Sequence, residues 1–428
     1  MSAQFHPALL YTWYGDDFTG STDVLERLAL EGVPAVLFTH APAADELQRY
    51  GACRAVGIAG QSRSQTPAWM SKHLPEVFAL LRAWNAPVCH YKVCSTFDSG
   101  PHVGSIGRAM ELGKAAFDAE FVPVVVGAPH LGRAVVYSQL FAAAHGTMHR
   151  IDRHPTMSRH PVTPMREADL RLHLYRQTML RMGAVDLPAY QQGRVAEQLA
   201  EELRADAEAV IFDGCDDQMT LETARVLWKR AQKKPLFAVG SSGLTYGLLQ
   251  HWHEAGLIEA APNLANASPV DRLVVLSGSC SPVTEKQILR ARQMGFTTLE
   301  IDARGWTEEL TGAAEAALSA NRSVVLFTAL GPQPESQTYG ENFSATLGER
   351  LKDLLLRTNV KRVVVAGGDT STHAVQQLGL QALTFAAPLA PGAPLCKAHA
   401  PGTELDGLEL VLKGGQIGPD EFFAQVRG

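Results

Sequence analysis

No apolar run in this sequence approaches the length of a membrane span; the longest, such as "FVPVVVGA" and "DRLVVLSG", are strand-sized. Cysteine is sparse, with Cys53, Cys89, Cys94, Cys215, Cys280 and Cys396 scattered and no CxxC spacing among them. That pattern excludes a disulfide framework and suits reduced thiols. Basic charge is not in excess: 38 Lys and Arg face 44 Asp and Glu, a formal net charge of −6. Nucleic acid and anionic membrane are therefore not expected partners. No basic segment followed by an apolar run opens the chain, so secretion is not expected and a cytoplasmic location is. No Walker A, full GxGxxG or HExxH is present, and no internal repeat or low-complexity segment appears.

What is there reads as α/β. A chain of 428 residues is too long for one core. Short apolar runs alternate with longer amphipathic stretches, which predicts two α/β domains with mainly parallel sheets. Strands are predicted at "ALLYTWYG", "PAVLFT", "RAVGIAG", "VCHYKV", "FVPVVVGA", "AEAVIFDG" and "PLFAVG". Helices are predicted from Ser21 to Glu31, Pro67 to Trp84 and Gly104 to Phe117. Between Val136 and Pro164 the periodicity fails, and "READLRLHLYRQTML" then reads as helix. Pro, Ala and Asn accumulate between Glu259 and Asp271, where the alternation restarts with "RLVVLSGSC", "TTLEID", "SVVLFTA" and "RVVVAGG". The expected division is an N-terminal domain over 1–260, a linker over 261–270 and a C-terminal domain over 271–428.

Several stretches carry chemistry. "YGDDFTGSTD" follows a strand and enters a helix, the edge at which open α/β sheets bind ligands. One of Asp16 and Asp17 can cap that helix. Two adjacent carboxylates exceed what capping needs, which leaves the other for chemistry. "GQSRSQTP" puts Arg63 just after a strand, where a guanidinium could clamp a carboxylate. "YKVCSTFDSG" places Lys92, Ser95, Thr96 and Asp98 beyond another strand, a mixture suited to a polyhydroxylated anion. "KRVVVAGGDTSTHAV" is a β-branched strand, a Gly-Gly turn and a helix start, an arrangement that favours an anion. "VVLSGSCSPVTEKQI" repeats it, and "LKGGQIG" adds a third glycine loop. Three such loops in one region point to a nucleotide. His145, His149, His154 and His160 lack a ligand spacing, and no metal site is expected from them.

Taken together these motifs resemble the four-carbon acid sugar kinase family, in particular its 3-oxo-tetronate kinase branch. "GDDFTGSTD" is similar to that family's "ADDxTGAxD" signature, and "GQSRS" to its arginine loop. "YKVCSTFDS" and "HPVTPM" resemble the 3-oxo-tetronate branch. "VGSSGLTYGL", "SGSCSPVTEKQI", "AGGDTSTHAV" and "LKGGQIG" follow in the family's order. The chain departs from the pattern at Gly15, at "GAPHLGRAV" and at the "DRHPTMSRHP" insertion.

The resemblance implies an N-terminal sugar-acid-binding domain, a C-terminal nucleotide-binding domain, and ATP with Mg²⁺ phosphorylating the terminal hydroxyl of a small sugar acid. A 3-oxo-tetronate, threonate or erythronate is the expected kind of substrate. Asp16, Asp17, Arg63, Lys92, Ser95 and Thr96 would contact the sugar acid, with Asp16, or in its place Asp17, accepting the hydroxyl proton. Ser279, Gly367, Gly368, Asp369, Thr370 and Gly414 would contact ATP. A homodimer is compatible with this reading. The rivals are a sugar-acid sensor with a degenerate kinase site and a metal-dependent hydrolase or aldolase using the histidine-rich segment.

Overall fold

The structure, a computed structural model, describes residues 9–144, 146–160, 162–302, 305–331 and 343–428; of Ser344 and Asp369 only the backbone is described. The chain forms two compact units. One comprises the residues up to Asp16 with Glu31–Pro34 and Ala43–Ala261; the other comprises Asp17–Leu30, Ala35–Pro42 and Pro262–Gly428. The units are thus not two consecutive pieces of chain. The first helix and second strand group with the C-terminal unit.

The strands of the N-terminal unit are β1 (Tyr11–Gly15), β3 (Ala55–Ala59), β4 (Val88–Lys92), β5 (Val122–Val125), β9 (Met182–Val185), β10 (Ala209–Phe212) and β11 (Leu236–Gly240). Strand β2 (Ala35–Phe38) belongs to the other unit. The order across the sheet is β3-β1-β4-β11-β5-β10-β9, all pairs parallel. Nearly every residue of these strands is buried, as a sheet covered on both faces requires. The chain leaves β1 towards β3 and leaves β4 towards β5, so the connections diverge between two neighbours. That opens a crevice at their carboxyl ends.

The C-terminal unit repeats the principle with an added hairpin. Its strands are β2, β12 (Val274–Ser277), β13 (Thr297–Glu300), β14 (Val324–Phe327), β15 (Arg362–Ala366), β16 (Ala382–Ala390), β17 (Ala393–His399) and β18 (Glu409–Lys413). They lie in the order β13-β14-β12-β15-β18-β17-β16-β2. β13, β14, β12, β15 and β18 run parallel, whereas β17 pairs antiparallel with β18, β16 with β17, and β16 with β2. Connections diverge between β12 and β15, the second switch point. Val275, Ile288, Val325, Val364, Val411, Phe422 and Phe423 form the core beneath it. Buried Arg362 closes the unit by pairing with Glu409 at 2.7 Å and donating to the carbonyls of Ser268 and Val426.

Three expectations are revised. The first helix is Phe18–Leu30 and starts three residues earlier than predicted, because Asp17 captures the Gly20 N–H at 2.6 Å and makes Gly20 part of the first turn. The segment from Val136 to Pro164 is not wholly irregular. It contributes to a small antiparallel sheet of β6 (Arg133–Val136), β7 (Gln139–Ala144) and β8 (Thr147–Arg150). Its first turn puts Tyr137 and Ser138 at φ of 52° and 62° with neither Gly nor Asn, so the usual hairpin signal is missing. The turn is held instead by the distant Asp213, whose carboxylate accepts from the N–H groups of Tyr137 and Ser138. Finally, only Leu170–Leu174 of the predicted helix at "READLRLHLYRQTML" is helical, capped by Asp169.

Candidate functional site

In the N-terminal unit, parallel register brings the ends of β3, β1 and β4 level: Gly15 is paired with Ala59 on one side and with Lys92 on the other. The next residue, Asp16, is locked by its backbone. Its N–H donates to the Lys92 carbonyl at 2.9 Å, and its carbonyl accepts from the Arg63 N–H at 3.1 Å. Three segments far apart in sequence therefore meet at one edge: Asp16, the loop through Arg63, and Lys92 with its following turn. Asp16 and Lys92 are both buried. Tyr14 and Tyr91 stack beneath, ring centroids 5.7 Å apart, and the Tyr91 hydroxyl bonds Ser62 at 2.7 Å. Burial and, after it, the charge of Asp16 push the Tyr91 phenol well above its ordinary range.

The loop after β4 is organised by Asp98. Its carboxylate accepts from Arg63 Nη2 at 2.8 Å, from the Thr96 hydroxyl at 2.5 Å and from the Thr163 hydroxyl at 3.1 Å. Burial alone would raise this carboxyl. The Arg63 guanidinium, the Thr96 hydroxyl and His160 outweigh that and hold it below the usual carboxylate range. The Arg63 side chain is about a quarter exposed (26%) while Asp98 is fully enclosed, so the pair presents the guanidinium and hides the carboxylate. The buried Phe97 between Thr96 and Asp98 sits at φ 56°, a left-handed conformation that costs a bulky residue on the order of 1–2 kcal/mol. Ser95 is half-buried in the same loop. Asp98 was named only with its polar loop and not as a brace, and Thr163 lies in "HPVTPM" 65 residues away. What could mark them is only that both stretches belong to one family pattern.

In the C-terminal unit the three glycine loops converge. β12, β15 and β18 are neighbours, and the loops after them carry Ser279, Gly367–Thr370 and Gly414 respectively. The approach is close. A Cβ placed on Gly278 would stand 2.0 Å from Thr370 Oγ1, and one on Gly415 would stand 2.7 Å from Ser279 Oγ. Gly367 has φ 113°, which L residues rarely adopt, and directly precedes the helix Gly368–Leu378. Ser281 caps the helix Pro282–Gln293, so two helix N-termini face this edge. The backbone of Asp369 lies in that first turn, and its side chain falls outside the described residues.

The adjacent aspartates separate. Asp17 heads the helix Phe18–Leu30, with Oδ1 on the Gly20 N–H and Oδ2 on the Thr19 hydroxyl. Within the C-terminal unit Oδ2 also lies 3.6 Å from where a Cβ of Gly368 would be, beside the glycine turn. Among the described residues no three His, Cys, Asp or Glu side chains come together as a metal site, and no helix is long and apolar enough to cross a membrane. His154 is buried with Nδ1 accepting two backbone N–H groups; His160 turns Nδ1 to Thr163; His145 lies outside the described residues.

Residues 11–248 match a family described as a sugar-binding N-terminal domain, and residues 274–423 one described as a nucleotide-binding C-terminal domain. Over 98% of its length the chain is 43% identical to a 3-oxo-isoapionate kinase of Paraburkholderia graminis, covering 94% of that protein. It is 30% identical to a 3-oxo-tetronate kinase of Cupriavidus necator, with 96% and 95% of the two chains covered. A Salmonella typhimurium LT2 protein solved under the description of a tRNA synthase superposes with TM-score 0.79 and 26% identity, covering 97% of this chain and 98% of that one. A Haemophilus influenzae protein superposes with TM-score 0.72 over 97% and 99% of the chains; at 23% identity it speaks for the fold alone.

Proposed function

The chain belongs to the four-carbon acid sugar kinase family and is an acid sugar kinase, and from that premise we propose that it transfers the γ-phosphoryl group of ATP to the terminal hydroxyl of a 3-oxo sugar acid. The observation that carries the donor side is the convergence of three glycine turns at adjacent strand ends. Backbone N–H groups at such turns and at helix N-termini suit a polyphosphate. For the acceptor, the identity to a 3-oxo-isoapionate kinase exceeds that to the 3-oxo-tetronate kinases, so 3-oxo-isoapionate ranks first and a 3-oxo-tetronate second.

Arg63 and Lys92 are the cations for the substrate carboxylate, with Ser95 and Thr96 towards its hydroxyls. Asp98 holds the guanidinium plane so that the carboxylate meets it in a fixed orientation. Asp16, at the end of β1, is the base. The substrate hydroxyl oxygen bonds to the γ-phosphorus, the bond from that phosphorus to the ADP oxygen breaks, and the hydroxyl proton passes to the Asp16 carboxylate. Because phosphoryl transfer proceeds through a loose transition state, positioning and electrostatics carry most of the catalysis.

Ser279, Gly367, Gly368, Asp369, Thr370 and Gly414 are assigned to ATP. Mg²⁺ bound with the nucleotide would neutralise charge on the transferring group. Asp17, beside Gly368, is the carboxylate placed to meet such a complex while it caps its helix.

The test is a coupled ADP-release assay on 3-oxo-isoapionate, 3-oxo-tetronates, threonate and erythronate. ADP release with a 3-oxo acid and a large loss of kcat in Asp16→Asn are expected. An Asp16→Asn enzyme that turns over its best substrate like the wild type removes Asp16 as base. If no acid of the panel elicits ADP release, the choice of donor and acceptor fails.

A further inference from the structure

We propose that Lys413, a side chain that reaches neither the crevice nor solvent, is the positioning residue that turns the Gly414–Gly415 loop so that its N–H groups face the nucleotide. Lys413 ends β18 and is completely buried. Its Nζ donates to three oxygens: the Thr284 hydroxyl at 3.1 Å, the Gly414 carbonyl at 3.0 Å and the Gly415 carbonyl at 3.5 Å. Thr284, equally buried, donates its own hydroxyl to the Gly415 carbonyl at 2.9 Å. Buried Gln287, one turn further along the helix Pro282–Gln293, donates to the carbonyls of Ile417, Gly418 and Pro419. The carbonyls of Gly414, Gly415, Ile417, Gly418 and Pro419 are thus met by a row of interior donors.

The consequence follows from peptide geometry. In a planar trans peptide the C=O of one residue and the N–H of the next point in opposite directions. With the Gly414 and Gly415 carbonyls turned to Lys413, the N–H groups of Gly415 and Gln416 point the other way. Neither finds an acceptor among the described residues, and both residues reach the surface. A Cβ on Gly415 would stand 2.7 Å from Ser279 Oγ, which places these donors at the convergence of the turns. The loop offers an anion-binding nest whose shape is set from behind.

The choice of an ammonium for this task has a cost that a neutral residue would avoid. Burial pushes Lys413 down to about 7, and among the described residues no carboxylate pairs with it. In its protonated form this lysine, placed behind a nest of outward N–H groups, adds positive potential where a polyphosphate would lie, and a bound polyphosphate in turn favours that form.

This inference rests on the ATP-binding reading above, and the experiment separates the two. Calorimetry with a non-hydrolysable ATP analogue, together with steady-state kinetics, is compared for wild type, Lys413→Met, Thr284→Val and Thr284→Ser. Thr284→Val preserves volume while removing the link between Lys413 and Gly415; Thr284→Ser restores it. Expected are a KM for ATP at least tenfold higher in Lys413→Met, several-fold higher in Thr284→Val and close to wild type in Thr284→Ser, with the KM for the sugar acid unchanged in all. If wild type binds no ATP analogue, the functional reading fails. If wild type binds it and both folded variants bind it equally well, only the role of Lys413 fails. Loss of a cooperative melt in both Lys413→Met and Thr284→Val, or an equal rise in both KM values, would make these residues merely structural and also overturn the proposal.

Discussion

The two candidate sites occupy equivalent places in their sheets and are made of different material. At the switch point of the N-terminal unit the groups on offer are side chains: Asp16, Arg63, Lys92 and Thr96, with Asp98 accepting from Arg63, Thr96 and Thr163. At the switch point of the C-terminal unit they are backbone groups of turns in which Gly278 and Gly415 leave no room for a methyl group. A nucleotide polyphosphate is the same in every kinase and can be met by main-chain donors. A sugar acid differs from its neighbours by a hydroxyl or a keto group, and side chains can be exchanged to follow it. The expectation is that the backbone site tolerates almost no substitution, while the side-chain site changes its preference.

The largest effect should come from breaking the backbone site. Gly278→Ala sets a methyl carbon 2.0 Å from Thr370 Oγ1 and must shift that side chain or one of the two turns. A loss on the order of 100-fold in kcat/KM for ATP is expected, as for misplacement of a binding group by about an ångström. Steady-state kinetics on protein shown by circular dichroism to be folded checks it, and a wild-type KM for ATP would contradict the comparison.

Next comes Asp98→Asn. It keeps the shape and removes the charge that fixes Arg63, so the KM for the sugar acid should rise about tenfold, the worth of a weakened charge-assisted pair. The KM for ATP should stay put. Equal changes in both would mean that Asp98 supports the fold rather than the guanidinium.

The smallest effects are in stability, and they run in opposite directions in the two units. In the N-terminal unit His90 is fully buried between the Tyr11 hydroxyl and the Gly240 carbonyl, and burial lowers it from 6.5 to about 3. Between those values the unfolded chain takes up a proton that the folded one refuses. Its contribution is therefore full above pH 6.5 and is lost as pH falls towards 3. In the C-terminal unit the buried Glu26 accepts from the Gly392 N–H at 2.7 Å, and burial raises it from 4.5 to about 8. Here the folded chain keeps a proton that the unfolded one releases, so the contribution is full below pH 4.5 and is lost as pH rises through 8. Melting curves of wild type and Glu26→Gln at pH 6 and pH 8.5 should show the variant gaining a few degrees relative to wild type at the higher pH. A constant difference between the two would rule out Glu26 as the source.

The residues that the fold gathers at the two candidate sites were in large part legible one by one. The alternation of apolar runs gave the parallel sheets, and turn chemistry at strand ends marked Asp16, Arg63, Lys92 and the glycine loops. The separation of Asp16 from Asp17 was half legible: a cap was called for at that position, but the Gly368 turn beside Asp17 was not. Asp98 was named only as part of a polar loop, and Thr163 carried no local signal; the role of each as a brace depends on an arginine folded onto Asp98. The hairpin at Tyr137 and Ser138 was hidden because its turn is stabilised by Asp213 rather than by its own residues. Nothing local marked Lys413, which stands in the quoted "LKGGQIG" beside the glycines.

The sequence by itself determined the α/β class, the strands that end at each site and the residue types offered there, because periodicity and turn preference act over a few residues. Only the tertiary structure decided which loops meet, which carboxylate braces which cation, and which way a glycine loop faces. Those depend on sheet order and burial, and the bonds concerned join residues from 35 to about 130 positions apart.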